Sequence, residues 1–249
     1  MVRTWLSHSH SGLREIGGLA VLYGFYEVVR GAGGEDVEAA LANTADIVAV
    51  EQAIGVYVER GVQSAFEAIP FAPTALGLAY MLLHFVGTAV ALVWVHRRHP
   101  DRFPLVRTTF VAATAFALVG YVFFPAAPPR LAELGFSDTV TTSTGLDLSS
   151  DLLGALYNPF AAVPSLHFGY ALIVGVALAW IAERRWVRLV GVVYPAAMLV
   201  IIVATGNHFL LDAALGGVVV VAGWIAARAL VTEPQPQRRR LALADCPQA

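Results

Sequence analysis

The sequence predicts an all-α, polytopic membrane bundle of six transmembrane helices plus one interfacial amphipathic helix. Three observations carry that prediction. Hydrophobic residues make up 57% of the 249 residues and charged residues only 14%, with a mean hydropathy of +0.66, where a soluble domain carries about 25% charged residues. Six apolar stretches reach or approach the roughly 20 residues needed to cross a hydrocarbon core. The basic residues, all sixteen of them arginine, fall mostly in alternate connections, as the positive-inside bias requires.

The elements follow in order. The first span is expected at 13–30. The connection 31–74 contains DIVAVEQAIGVYVERGVQSAFEAI, with Ile47, Val50, Ile54, Val58, Val62 and Phe66 at helical spacing and Glu51, Glu59 and Glu67 between them. That pattern predicts an amphipathic helix at the interface, because a spanning helix would carry three carboxylates into hydrocarbon. Spans two and three are expected at 75–96 and 105–124, bracketed by Pro100 and Pro104. The connection 125–165 opens with prolines and continues through a Ser/Thr/Asp-rich stretch, which predicts irregular structure with a short helix at 149–157. Spans four, five and six are expected at 166–182, 187–205 and 208–231, with a tight turn at Glu183–Arg188. Residues 1–232 then form one transmembrane domain, and 233–249 a disordered, basic cytoplasmic tail. The short polar N-terminus lacks a small-residue cleavage site before the first span, so no cleavable signal peptide is expected. The single cysteine, Cys246, has no partner for an intramolecular disulfide.

Arginine placement orients the bundle. Arg97, Arg98, Arg102 and Arg107 share one side with Arg184, Arg185 and Arg188 and with the tail's Arg238, Arg239 and Arg240. The opposite connections hold only Arg60 and Arg130. The chain is therefore expected in the cell membrane with both termini cytoplasmic, and with Arg130, His167 and His208 toward the extracytoplasmic face. A net charge of −2 gives no sign of a nucleic-acid partner.

Two segments carry the chemistry, AVPSLHFG at 162–169 and TGNHFLLDAALG at 205–216. Each sets a histidine at the head of an apolar helix, and Asp212 follows His208 by one helical turn on the same face. An ionisable group inside a span costs roughly 2.5–3.5 kcal/mol on insertion scales, so such groups mark function. The topology brings Arg130, Ser165, His167, His208 and Asp212 to one membrane level. A cation, two imidazoles and a carboxylate suit an oxyanion such as phosphate. Arginine offers a planar fork for two phosphoryl oxygens. The helix after Pro164, with the Ser165 hydroxyl, offers further donors. Asp212 can fix the tautomer of His208 and leave its second nitrogen as nucleophile or base, while His167 protonates a leaving alkoxide. The same residues admit other readings: a metal site at His167, His208 and Asp212, a Ser165–His208–Asp212 hydrolase triad, or polar contacts between helices. Ser165 also suits a helix N-cap. His84 in span two reads as a packing or an active-site histidine, and Arg107 as a snorkelling residue.

FPAAPPR at 124–130, AVPSLHFG and TGNHFLLDAALG resemble the three signature segments of the type 2 phosphatidic acid phosphatase superfamily. The branch that includes fungal inositol phosphorylceramide synthase and bacterial inositolphosphotransferase-like membrane proteins is the more similar. The resemblance covers about residues 75–225. It implies a lipid phosphatase or phospho-headgroup transferase acting on a membrane lipid through a phosphohistidine, with no metal and no cofactor. It assigns the nucleophile to His208, its support to Asp212, the acid to His167, and phosphate binding to Arg130 and Ser165. Two positions depart from the pattern. Phe123 stands where a lysine is usual and Ile202 where an arginine is usual, so neutral donors at Asn207, Asn158 or the Gly206 backbone are expected to share the phosphate. Fewer cations suit a phosphodiester better than a dianionic monoester. The alternatives are a transporter relaying protons through the same His and Asp, and a non-catalytic lipid-binding protein.

Overall fold

The computed structural model describes residues 36–145 and 159–231, together with Gly24. The expected span at 13–30, the expected helix at 149–157, Asn158 and the tail at 233–249 lie outside the described residues. The described chain is helical throughout, with one isolated bridge between Ala126 and Ala161.

Among the described residues, four helices are long and apolar enough to cross a membrane: α3 (Ala72–Arg98), α4 (Phe103–Phe123), α7 (Arg185–Ala204) and α8 (Leu210–Leu230). Between them lies α6 (Leu166–Ile181), apolar but shorter than a spanning helix needs. The four long helices match the expected spans two, three, five and six to within a few residues at each end, and α6 occupies the position expected for span four. Leu78, Val90, Val119, Val192 and Val221 are exposed along their outer faces, as a lipid-facing surface requires. α4 and α6 pack along α8, and α7 packs along α6.

Close helix contact rests on small residues, as expected where water does not drive association. Gly175 of α6 and Gly191 of α7 face each other so closely that a Cβ on Gly191 would meet the Gly175 carbonyl at 2.6 Å. On α8, Gly216 presses against the Ser165 backbone at the head of α6. The Ser165 N–H in turn donates to the Asp212 carbonyl at 2.9 Å, so the heads of α6 and α8 are joined main chain to main chain.

The segment before α3 differs from the expected single amphipathic helix. It forms two helices, α1 (Val37–Ala53) and α2 (Glu59–Glu67), separated at Gly55, whose φ of +74° ends α1. Asp36 caps α1 by accepting the Ala39 N–H at 2.9 Å. Val50, Ile54 and Val58 are exposed, whereas Glu51 and Glu59 are fully buried. Glu51 and Glu59, with Thr44 and Gln63, therefore pack inward against the bundle, whereas Glu67 is exposed. The arm also holds the irregular segment after α4. Thr44 Oγ1 accepts the Ala127 N–H at 2.9 Å, Asn43 donates to the Pro125 carbonyl at 2.8 Å, and Gln63 exchanges two bonds with the Ser137 backbone, each 3.0 Å. A short helix, α5 (Thr139–Thr144), follows and packs on α3.

Gly216→Ala is expected to lower stability by about 1–3 kcal/mol, because its methyl collides with the Ser165 carbonyl. Gly217→Ala, whose Cβ would meet its nearest side-chain atom only at 3.9 Å, is the matched control. Thermal unfolding in detergent reads the difference; equal melting of the two variants contradicts the packing account.

Candidate active site

The turn between α7 and α8 sets the geometry. α7 ends at Ala204, and Gly206 adopts φ +66°, the left-handed conformation that closes many helices. The N–H groups of Asn207 and His208 then both return to the Ile202 carbonyl, at 3.0 and 3.2 Å. A Cβ on Gly206 would come within 2.8 Å of the Gln63 side chain, so glycine is needed for both conformation and space. His208 emerges from this turn, and α8 starts two residues later.

Asp212 turns back over the head of α8. Its Oδ2 accepts the Phe209 N–H at 2.9 Å and lies 3.2 Å from His208 Nδ1. A carboxylate oxygen can only accept, so it favours the tautomer in which Nδ1–H donates to Asp212 and the lone pair is on Nε2 of His208. That Nε2 faces His167 Nδ1 at 3.5 Å. The two histidines and the aspartate expected from the sequence therefore share one buried site, with Asp212 fully buried and His208 nearly so.

His167 is held by ring stacking. Tyr80 lies on it at 4.2 Å between centroids and His84 at 3.9 Å, and His84 also stacks on Tyr170 at 5.4 Å. Tyr80 and His84 are one turn apart on α3, where a π-helical turn, Leu83–Gly87, interrupts the helix; such turns concentrate at functional sites. His84 thus belongs to the histidine cluster. The 3.5 Å between His208 Nε2 and His167 Nδ1 is too short to admit a phosphoryl group. Attack needs roughly 3–3.5 Å to phosphorus, and protonation needs about 2.6–3.2 Å to the leaving oxygen. A phosphoryl group could sit between the two rings only if they part.

Ser165 is the N-cap of α6. Its fully buried hydroxyl accepts the Phe168 N–H at 3.4 Å. The N–H groups of Leu166 and His167 open the first turn of α6, where a helix supplies unpaired donors and a positive dipole end. Arg130 sits in a 3-10 turn, Pro129–Leu131, fixed by its own N–H to the Gly206 carbonyl at 2.9 Å. Its side chain is only 4% exposed. Nε donates to Asn207 Oδ1 at 3.0 Å and Nη1 to Asp138 Oδ2 at 2.9 Å. Asn207, expected as a neutral phosphate donor, accepts from Arg130 through Oδ1 and donates through Nδ2 to Thr205 Oγ1 at 2.9 Å. At the two departures from the signature pattern, Phe123 is 81% exposed and Ile202 is buried in the apolar core with Tyr80 and Met198. Neither side chain brings polarity to the site. Among the described residues, no set of three or more His, Cys, Asp or Glu side chains is arranged to share a metal ion.

Sequence reasoning missed Glu51 and Glu59. Both are 0% exposed, and both point at the head of α8: Glu51 Oε1 accepts the Leu211 N–H (2.6 Å) and Glu59 Oε1 the Leu210 N–H (2.9 Å). With Asp212 on Phe209, three carboxyl groups satisfy three successive N–H groups, which a helix start leaves without internal partners. The helix dipole there favours negative charge. Each carboxyl leaves one buried oxygen, Glu51 Oε2, Glu59 Oε2 and Asp212 Oδ1, without a hydrogen-bond partner among the described residues. The available signal was the arm's own pattern, since carboxylates opposite an apolar stripe can face a protein interior as well as water.

Burial pushes the Glu51 carboxyl up to about 8; the Leu211 N–H opposes this, and the neighbouring Glu59 and Asp212 charges reinforce it. The folded chain therefore keeps a proton on Glu51 that the unfolded chain has already released above 4.5. The sign follows from linkage: the stabilising effect is complete below about 4.5 and is lost progressively as pH rises to about 8, at up to about 1.4 kcal/mol per pH unit. Melting in detergent should decline across that window for this proton, and Glu51→Gln should flatten the decline. An unchanged slope in the variant would contradict the assignment.

Comparison with known proteins places this geometry in a family. The chain is 30% identical over 145 residues to phosphoinositol dihydroceramide synthase of Bacteroides thetaiotaomicron, a match covering 50% of this chain and 44% of that protein. The chain thus aligns with less than half of that relative's length. No solved structure matches the chain. The profile of the PAP2 superfamily matches residues 45–227, which includes Glu51, Glu59, Arg130 and both histidine segments. By that match, which spans well over half of its residues, this membrane protein belongs to the PAP2 superfamily.

Proposed function

We propose that the chain is a membrane phosphotransferase that moves a phospho-headgroup from a lipid phosphodiester to another lipid alcohol through a covalent intermediate on His208. The observation that carries this reading is the charge of the site. Among the described residues, Arg130 is the arginine that reaches the His208 turn, through Asn207, and it is already paired with Asp138 at 2.9 Å, while the buried carboxyl groups of Glu51, Glu59 and Asp212 meet the head of α8 just after His208. Phe123 and Ile202 add no cation. A dianionic monoester would meet too little positive charge here, whereas a singly charged phosphodiester fits one partly neutralised guanidinium and the N–H groups at the head of α6. The similarity to a phosphoinositol dihydroceramide synthase supports phosphoinositol as the headgroup and a ceramide-like alcohol as the acceptor.

The reaction has two displacements. His208 Nε2 attacks phosphorus and forms the N–P bond; the P–O bond to the donor's glycerol oxygen breaks, and His167 gives that oxygen its proton. The acceptor hydroxyl then loses its proton to His167, its oxygen bonds to phosphorus, and the N–P bond breaks to restore His208. Asp212 holds the His208 tautomer and stabilises the charge that develops on the ring. Arg130, with Asn207 bracing it, and Ser165, through the α6 head, hold the non-bridging oxygens. The arginines Arg97, Arg98, Arg102, Arg107, Arg184, Arg185 and Arg188 lie at the end of the bundle opposite the histidines. The positive-inside bias therefore supports an active site at the extracytoplasmic face of the cell membrane, with both termini cytoplasmic.

In mixed micelles, labelled phosphatidylinositol with a dihydroceramide acceptor should turn over, and release of phosphate from phosphatidic acid should be at least about tenfold slower in kcat/KM. His208→Ala should abolish transfer, and Asp212→Asn should lower kcat by roughly 10³–10⁴-fold through the wrong tautomer. Preference for phosphatidic acid would convert the reading to a phosphatase. Full turnover by His208→Ala on every accepted lipid would exclude both.

A further inference from the structure

The arm formed by α1 and α2 reaches the head of α8 with two buried carboxyl groups, from positions 160 and 151 residues upstream of their partners. A helix start needs far less. A single local Ser, Asn or Asp meets the ordinary capping requirement, and Asp212 already supplies one. Two additional acids brought from another part of the chain carry a desolvation cost that the capping requirement alone does not call for. What they add is fixation. Leu210 and Leu211 lie two and three residues after His208, and Phe209, Asp212 and the Ser165 backbone all depend on where the first turn of α8 lies.

We propose that Glu51 and Glu59 are positioning residues for the reaction at His208, clamping the first turn of α8 so that the His208–Asp212 pair presents Nε2 to phosphorus. This rests on the reading of His208 as nucleophile. The clamp acts through Asp212. A first turn free to slide or rotate would carry Oδ2 away from His208 Nδ1, a contact of 3.2 Å with no slack for a bond that must hold one tautomer.

The clamp is also sensitive to charge. Three carboxyl groups meet a helix end whose dipole offers roughly half a positive unit, so a neutral member relieves their mutual repulsion, and Glu51 is that member. The groups facing it are Glu59 of α2, Tyr57 of the connecting turn and Asp212 of α8, with Arg60 of α2 acting on Tyr57; Arg60 itself is engaged with Gln63 at 3.2 Å and Glu67 at 3.6 Å. Ionisation of Glu51 at alkaline pH adds a negative charge beside Asp212, behind the site where an anionic substrate binds. The rate should therefore fall as that proton is lost.

The test uses the full chain in micelles of phosphatidylinositol and dihydroceramide, with kcat and KM measured across pH. Glu51→Leu and Glu59→Leu should each lower kcat by about tenfold or more, with KM changed by less than about threefold, the signature of lost transition-state geometry. Glu51→Gln keeps an acceptor oxygen for Leu211 and should recover kcat to within about threefold of the parent below neutral pH. Having no proton to lose, it should also lack the parent's decline toward and above pH 8. Parental kcat in both leucine variants, or an unaltered alkaline decline in Glu51→Gln, overturns the proposal. If the leucine variants do not fold, the Glu51→Gln pH profile decides alone. Activity retained by His208→Ala would instead overturn the nucleophile assignment, an outcome none of the glutamate variants can imitate.

Discussion

One carboxylate oxygen, Asp212 Oδ2, is the acceptor on which the functional end of the bundle depends. It takes the Phe209 N–H and faces His208 Nδ1, while the carbonyl of the same residue takes the Ser165 N–H. A single residue thereby starts α8, sets the tautomer of one histidine and ties down the head of the helix that carries the other. Gly216 permits the close approach that makes the third contact possible. Glu51 and Glu59 complete the helix start from outside the bundle, and Phe209, buried among Ile47, Ala126, Ala162 and Val163, fixes the same turn from its apolar side. Moving any one of these displaces the others.

The charge around this end is arranged asymmetrically. Acidic groups crowd behind the His208–Asp212 pair, at a helix terminus whose N–H groups they consume. The first turn of α6 is left to donate, beside Arg130. Under the proposed reaction, an anion at His208 would draw on the first turn of α6 and on Arg130, whose guanidinium is already paired with Asp138. Asn207 has a structural place here: its Oδ1 accepts from the Arg130 guanidinium and orients it.

Much of this was legible in the sequence. Long apolar runs mark α3, α4, α7 and α8 through composition alone, and the His208-x-x-x-Asp212 spacing fixes a helical contact without any tertiary information. The convergence of Arg130, Ser165, His167 and His208 follows from counting spans. What could not be read was what the arm does. Its apolar stripe at Val50, Ile54 and Val58 is the same whether the opposite carboxylates meet water or protein, because periodicity reports two faces and not their surroundings. Gly55 breaks the arm into two helices, and that break turns Glu59 toward α8. The roles of Asn207 and His84 were hidden for a similar reason. An amide beside a histidine can serve substrate or arginine equally well, and stacking of His84 on His167 depends on the register of α3, which the π-helical turn at Leu83–Gly87 alters.

The central claim is that His208 becomes covalently bonded to phosphorus. A brief pulse of phosphatidylinositol labelled in its phosphate, quenched without acid and followed by proteolysis and peptide mapping, tests it most directly. The account predicts an acid-labile label on the peptide containing His208, discharged by adding dihydroceramide and absent from His208→Ala. Label on Ser165 or His167, or steady turnover of the parent with no labelled peptide under any quench, would contradict it.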